Sequence, residues 1–132
     1  MNPFDESPIA SVASAGAEDI DDAVAAARKA FKSKEWRGLS TQQRGILLWR
    51  LADLCERDQH TLATIDAWDN GKPYASALGE DIAEVVGVFR YYGGWADKVY
   101  GQTIESDSAK LAYTKHEPIG ELEGRDKIDN QY

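Results

Sequence analysis

Cys55 is the strongest intrinsic nucleophile of this sequence and the only cysteine among its 132 residues. A cysteine thiolate attacks an electrophilic carbon when a nearby cation, base or helix N-terminus lowers its pKa. Cys55 comes late in an apolar helical pattern, next to Leu54, where the helix dipole disfavours a thiolate. We therefore interpret Cys55 as a core side chain. A lone cysteine also excludes an internal disulfide and a cysteine-based metal site.

The other residue types that carry chemistry also lack the spacing of a catalytic or cofactor-binding site. The two histidines, His60 and His116, have no nucleophile or metal-ligand partner near them in sequence, so we interpret both as surface or hydrogen-bonded structural residues. Gly93 and Gly94 lie inside a helical pattern, without the third glycine of a dinucleotide-binding turn. The carboxylates follow helix faces and are expected to be solvated. The sequence therefore predicts no catalytic and no cofactor-binding residue.

Charge and hydropathy exclude several classes of partner. The formal net charge of −8 disfavours nucleic acid and anionic membranes, since both attract basic patches. No apolar run approaches the ~20 residues of a membrane span, and no charged-then-apolar leader opens the chain. We expect a globular, cytoplasmic protein with no nucleic-acid or membrane partner.

The first two predicted helices lie before residue 58. One covers residues 17–32, with Gly16 as N-cap, acidic residues in its first turns and basic residues at its end. The next begins after Ser40, which forms a capping box with Gln43. The expected buried side chains are Ile20, Val24, Ala27 and Phe31 in the first, and Leu47, Leu48, Leu51, Leu54 and Cys55 in the second.

Two further helices are predicted, over residues 59–69 and 76–99. Asp58 caps the third, and Gly71 ends it in a left-handed conformation, which favours a stop signal over an anion contact for Lys72. In the fourth, Gly93 and Gly94 predict a close backbone approach to another element. The side chains expected to face inward are Leu62, Ile65 and Trp68 in the third helix, and Ile82, Val85, Val86, Phe89, Tyr92, Gly93 and Ala96 in the fourth. Tyr91 and Trp95 form a second ridge that needs its own covering surface.

The remaining segments predict a little β-structure. Residues 102–104 and 111–116 are expected to be strands joined by a loop at 105–110, and residues 9–13 a further short strand. Asn2-Pro3 and Ser7-Pro8 indicate turns. The predicted organisation is an extended segment (1–16), a helical region (17–99), a hairpin (100–120) and a disordered tail (121–132). The fold class is mainly α, with four helices and a small C-terminal β-hairpin.

Four stretches together resemble the N-terminal part of the NAD(P)-dependent aldehyde dehydrogenase superfamily. They are RLADL with ERD (50–58), DNGKPY (69–74), RYYGGWADK (90–98) and YTKHEPIG (113–120), in matching order and spacing. The resemblance runs from about Asn2 to Gly120 and stops at Glu121. It implies a partial α/β fold without a complete Rossmann unit, and a truncated product with a novel end. A read-through, a frameshift and an alternative splice all remain open as its origin.

The resemblance also implies what such a chain would do. The parent family oxidises aldehydes with NAD or NADP, using a cysteine nucleophile, a general base and a nucleotide-binding unit that are not found in this sequence. Asp81 matches an acidic residue that holds a monovalent cation in some relatives; the alternative is a solvent-facing aspartate at the start of the fourth helix. The hairpin corresponds to part of an oligomerisation sheet.

Three functions follow from this resemblance. The first is an aldehyde dehydrogenase fragment that is inactive alone and binds no cofactor. The second is an interaction module, and the third is a remnant without function. The interaction module would self-associate as a homo-oligomer or join full-length aldehyde dehydrogenase subunits, because open strand edges and exposed apolar ridges favour association.

Overall fold

The computed structural model describes residues 1–120 and is mainly helical, with one small antiparallel hairpin, as predicted. Six helices, a π-helical segment and two strands make up this part of the chain. Their bounds are α1 Ala17–Lys32, α2 Lys34–Arg37, α3 Thr41–Arg57, α4 Gln59–Asn70, α5 Tyr74–Ser76, the π-helical segment Ala77–Ile82, α6 Ala83–Trp95, β1 Thr103–Ile104 and β2 Ala112–Tyr113. The predicted tail at 121–132 lies outside the described residues.

Local capping chemistry sets where the long helices begin. The carboxylate of Asp19 accepts the Gly16 backbone N–H at 2.8 Å at the start of α1. Ser40 forms the predicted capping box of α3: its hydroxyl accepts the Gln43 N–H at 3.2 Å, while the Gln43 amide oxygen accepts the Ser40 N–H at 2.8 Å. Asp58 is the N-cap of α4, but its side chain makes no capping hydrogen bond.

Gly71 ends α4 with φ 77°, as predicted, in the left-handed region that glycine tolerates best. The predicted fourth helix differs from the structure at both of its ends. The predicted helix at 76–99 begins earlier, at Tyr74, passes through the π-helical segment and ends earlier, at Trp95. It ends there because the Lys98 backbone N–H bonds the Trp95 carbonyl at 2.9 Å and the Lys98 ammonium bonds the Gly94 carbonyl at 2.6 Å.

One element was not predicted and one prediction was wrong. The single turn α2 is capped by Ser33, whose hydroxyl accepts the Trp36 N–H at 3.1 Å. Residues 9–13 do not form the predicted strand. A strand needs a neighbour to complete its hydrogen-bond ladder, and Ile9, Ala10 and Val12 instead line a groove beside α4.

The predicted turn at Asn2-Pro3 is present: the Asn2 side-chain oxygen accepts the Phe4 N–H at 3.0 Å.

The buried centre of the described chain is small and consists of three alanines and two branched aliphatic side chains. Its fully or nearly buried hydrophobic side chains are Ala52, Ala63, Ala77, Ile82 and Val86. Several side chains predicted to be buried are exposed instead: Ile20, Leu47, Leu51, Leu54, Ile65, Trp68, Val85 and Tyr92. The helices approach closest where their side chains are small, so the larger side chains beside each contact point outwards over surface that residues 1–120 leave open.

The hairpin is shorter than predicted but has the expected antiparallel pairing. Thr103 pairs with Tyr113 and Ile104 with Ala112. Thr114 extends the contact, because its backbone N–H bonds the Gln102 carbonyl at 2.8 Å and its hydroxyl accepts the Gln102 N–H at 2.9 Å. No helix within residues 1–120 has the length and apolarity needed to cross a membrane.

Candidate functional site

A groove with a volume of about 950 Å³ lies between α4 and the π-helical segment. Its apolar wall comes from α4 and α6, and the N-terminal segment lies along it. The lining side chains are Met1, Ile9, Ala10, Val12, Leu62, Ile65, Trp68, Ile82 and Val85, with Asp66, Asp69, Lys72 and Asp81 as the charged ones. Concave, mostly apolar surfaces with a few charged groups are where ligands bind most often, so this groove is the candidate site.

Lys72 and Asp81 form an ion pair in this groove. The Lys72 ammonium donates a hydrogen bond to the Asp81 carboxylate, and both side chains are about one-third exposed. This hydrogen bond raises the pKa of Lys72 above its ordinary value, with smaller contributions from the charges of Asp81, Asp66 and Glu80. Gly71 ends α4, which is the stop signal that the sequence predicted. Lys72 beside it also contacts an anionic group, the Asp81 carboxylate of the same chain, and an anion contact was the less favoured interpretation of this residue.

The Asp81 side chain is still about one-third exposed, as a solvent-facing aspartate would be, and its carboxylate also contacts the Lys72 ammonium. No group of three or more histidine, cysteine or acidic side chains within residues 1–120 is arranged to hold a metal ion. The Asp81 carboxylate is instead paired with the Lys72 ammonium. A monovalent metal ion at Asp81 stays a prediction from the resemblance.

The groups considered for catalysis lie apart from the groove's charged end. Cys55 is a free, half-buried thiol in the last turn of α3. His60, on α4, shares a 2.8 Å hydrogen bond between its Nδ1 and the Tyr74 hydroxyl, and so joins α4 to α5. His116 lies exposed after β2. For His60, the interpretation as a hydrogen-bonded structural residue is confirmed.

Arg90 makes a connection that sequence reasoning missed. Its guanidinium, on α6, donates to the carboxylate of Glu56 at 2.6 Å and to that of Asp53 at 3.2 Å, both on α3. The hydrogen bond with Glu56 is the main reason why the pKa of Arg90 is raised. Asp53 and Glu56 lie in the matched stretch at 50–58, and Arg90 lies in the one at 90–98. These stretches marked the residues in the sequence, but spacing along a chain does not show which two helices pack together.

The fold and these stretches identify the class of protein. The chain belongs to the aldehyde dehydrogenase family, whose model matches residues 1–123. It is 55% identical over 120 residues to an aldehyde dehydrogenase of Aspergillus niger, covering 91% of this chain and 24% of that protein. It is 46% identical over 121 residues to the mitochondrial aldehyde dehydrogenase of Rattus norvegicus, covering 91% of this chain and 23% of that one. The chain thus spans about a quarter of the length of these curated relatives.

Solved structures give the same result for the fold. The NAD⁺ complex of an aldehyde dehydrogenase from Bacillus cereus superposes with a TM-score of 0.75 at 50% identity, covering 77% of this chain and 21% of that one. A structure described as a putative aldehyde dehydrogenase from Burkholderia cenocepacia gives a TM-score of 0.79 at 40% identity, covering 86% of this chain and 23% of that one. The helices and hairpin are therefore a partial aldehyde dehydrogenase fold.

Proposed function

We propose that this chain supplies the N-terminal scaffold of an enzyme that oxidises aldehydes to carboxylic acids with NAD or NADP, and that it does not catalyse this reaction alone. The observation that supports the proposal is the family match over residues 1–123, which covers about a quarter of the relatives. In this reaction a thiolate attacks the aldehyde carbon, a hydride leaves for the nicotinamide and a base activates the water that releases the acid.

The position of Cys55 supports the second half of the proposal. It lies in the last turn of α3, at the negative end of the helix dipole, and is half-buried. An aldehyde would have to reach a partly covered sulfur. Two ion pairs join distant parts of the chain and position elements: Arg90 with Glu56 links α6 to α3, and Lys72 with Asp81 links the end of α4 to the π-helical segment.

Fragment complementation tests the scaffold role. The 132-residue chain would be co-expressed with the remaining part of the Aspergillus niger relative, and NADH formation followed at 340 nm. We expect activity only when both parts are present. Gly93→Val, which disrupts the crossing of α3 with α6, should abolish it, and Gly94→Ala should not. A soluble, co-purifying pair that forms no NADH would contradict the scaffold role.

A second candidate function is self-association, and a specific surface favours it. Tyr91, Tyr92 and Trp95 form an aromatic ridge on α6, in which the Tyr91 ring lies 5.2 Å from that of Tyr92 and 6.2 Å from that of Trp95 between centroids. Each of these side chains is between 46% and 59% exposed. Exposed aromatic clusters of this kind are typical of interfaces. We propose that a second copy of this chain covers the ridge, with a full-length aldehyde dehydrogenase subunit as the alternative partner.

Light scattering during size-exclusion chromatography tests this association. We expect a mass that rises with concentration for the wild-type chain and falls towards the monomer for a variant with Tyr91→Ser and Trp95→Ser. A second chromatography run with an added full-length relative tests the alternative partner, because a complex of the two would elute with a mass equal to their sum. A wild-type chain that stays monomeric at the highest concentration and binds no full-length subunit would rule out both partners.

We also propose a cytoplasmic location. The support is the single cysteine of the sequence, which suits a reducing compartment where structural disulfides are rare. Some relatives, such as the rat protein, are described as mitochondrial. Fractionation of cells that express the tagged chain would decide between the two compartments.

A further inference from the structure

Lys72 and Asp81 join two pieces of backbone whose geometry is unusual. Lys72 directly follows Gly71, the left-handed end of α4, where a β-carbon would lie 2.8 Å from the Pro3 ring. Asp81 lies in the π-helical segment, which departs from the regular helix on either side of it. Such π-helical turns are rare and are tolerated where something fixes them in place. The ion pair therefore connects the end of α4, and the N-terminal turn packed on it, to the π-helical segment.

The charge around this pair is mostly negative. Three carboxylates, those of Asp66, Asp69 and Asp81, line the same groove as the Lys72 ammonium. The Asp66 carboxylate also accepts the Asn70 side-chain amide at 2.9 Å, which holds it on the same end of α4. Without Lys72, Asp66, Asp69 and Asp81 would share this groove with no cationic side chain among its lining residues, and their negative charges would repel one another.

We propose that the Lys72 ammonium is the resident cation of Asp81 in this chain, so that a monovalent metal ion could reach the carboxylate only by displacing a tethered side chain. A tethered cation is present at high effective concentration, whereas a free monovalent ion has to compete from solution. Stability should then depend on ionic strength but not on which monovalent cation supplies it.

Chemical rescue provides the test, on the full 132-residue chain. Lys72→Ala removes three methylene groups and the ammonium, which together match n-propylammonium. We expect the variant to unfold at a temperature about 2–5 °C lower, a range set by an ion pair that is one-third exposed. Millimolar n-propylammonium should restore much of this loss, and neutral n-propanol should not. Thermal unfolding followed by circular dichroism at 222 nm measures all of these values.

Two controls separate this effect from general salt or solvent effects. Lys110→Ala removes a surface lysine that lies 3.2 Å from Asp107, and its unfolding temperature should not respond to n-propylammonium. Asp81→Asn, combined with Lys72→Ala, should abolish the rescue because the acceptor charge is gone. If Lys72→Ala does not fold, Asp81→Asn alone should show the same loss in stability without any effect of the amine.

The unfolding temperature of the wild-type chain in different monovalent salts tests whether a metal ion occupies Asp81 instead. At constant ionic strength, potassium, sodium and choline chloride should give the same unfolding temperature. A selective stabilisation by potassium or sodium that disappears in Asp81→Asn would show that a metal ion is the resident cation, and would overturn the proposal. Absence of rescue by n-propylammonium in a folded Lys72→Ala variant would also overturn it.

Discussion

Gly45 and Gly93 face each other where α3 crosses α6, so closely that a β-carbon on Gly45 would lie 2.5 Å from the Gly93 carbonyl oxygen. A β-carbon on Gly93 would lie 2.7 Å from the Trp49 indole nitrogen. Helices approach this closely only where side chains are absent from both. The two glycines therefore set the distance at which the main helix pair of the chain packs.

Substituting the two neighbouring glycines of α6 should have opposite effects. Gly93→Ala should lower the free energy of unfolding by about 1–3 kcal/mol, because the new methyl group must displace Trp49 or the α3 backbone. A β-carbon on Gly94 would meet no other atom within 4 Å, so Gly94→Ala should be neutral or stabilise by up to about 1 kcal/mol through helix propensity. Urea denaturation measures both. Equal effects would contradict the proposed crossing.

The outcome at these glycines shows what sequence could and could not predict. A close approach was predicted at both, and it is present at Gly93 but wrong at Gly94, which faces open space. Helix positions and caps follow from local chemistry, such as Ser40 with Gln43, and were predicted well. Which apolar side chains are buried depends on the partner surface, and Leu51 and Ile65 are exposed because residues 1–120 offer them none.

Ser40 should contribute to stability through its side chain. Ser40→Ala removes the acceptor of the Gln43 N–H and should lower the free energy of unfolding by about 1 kcal/mol, whereas Ser40→Gly should cost only a few tenths of this. The difference arises because glycine lets water reach the open N–H groups of the first turn. Urea denaturation of the two variants provides the measurement. A larger loss with glycine than with alanine would contradict the capping role.

Arg90 should contribute little to stability, and its effect should depend on salt. Asp53 and Glu56 are 66% and 54% exposed, so water screens most of their attraction to the Arg90 guanidinium. Arg90→Gln should therefore lower the free energy of unfolding slightly in dilute buffer and less in 1 M salt, where the Debye length is about 3 Å. Arg50→Gln on α3 serves as the control. A loss that persists unchanged in high salt would indicate that packing of the Arg90 stem dominates.

The contribution of Asp58 to the free energy of unfolding should be lost in acid. The hydrogen bonds from Arg57, at 2.6 and 2.9 Å, hold the pKa of Asp58 below its ordinary value of 3.8. Because the folded pKa is the lower one, the contribution is present above about pH 4 and is lost as the pH falls through the lowered pKa. The stability difference between wild type and Asp58→Asn should shrink over that range. A difference that stays constant from pH 6 to pH 2 would contradict this coupling.

If this chain provides the scaffold of an aldehyde dehydrogenase but not its chemistry, it should form no NADH or NADPH by itself. The purified 132-residue chain would be mixed with an aldehyde and either NAD or NADP, with Cys55→Ser as the matched variant, and absorbance followed at 340 nm over a range of chain concentrations. We expect no reduced cofactor at any chain concentration. A rate that rises in proportion to the wild-type chain and disappears with Cys55→Ser would contradict it.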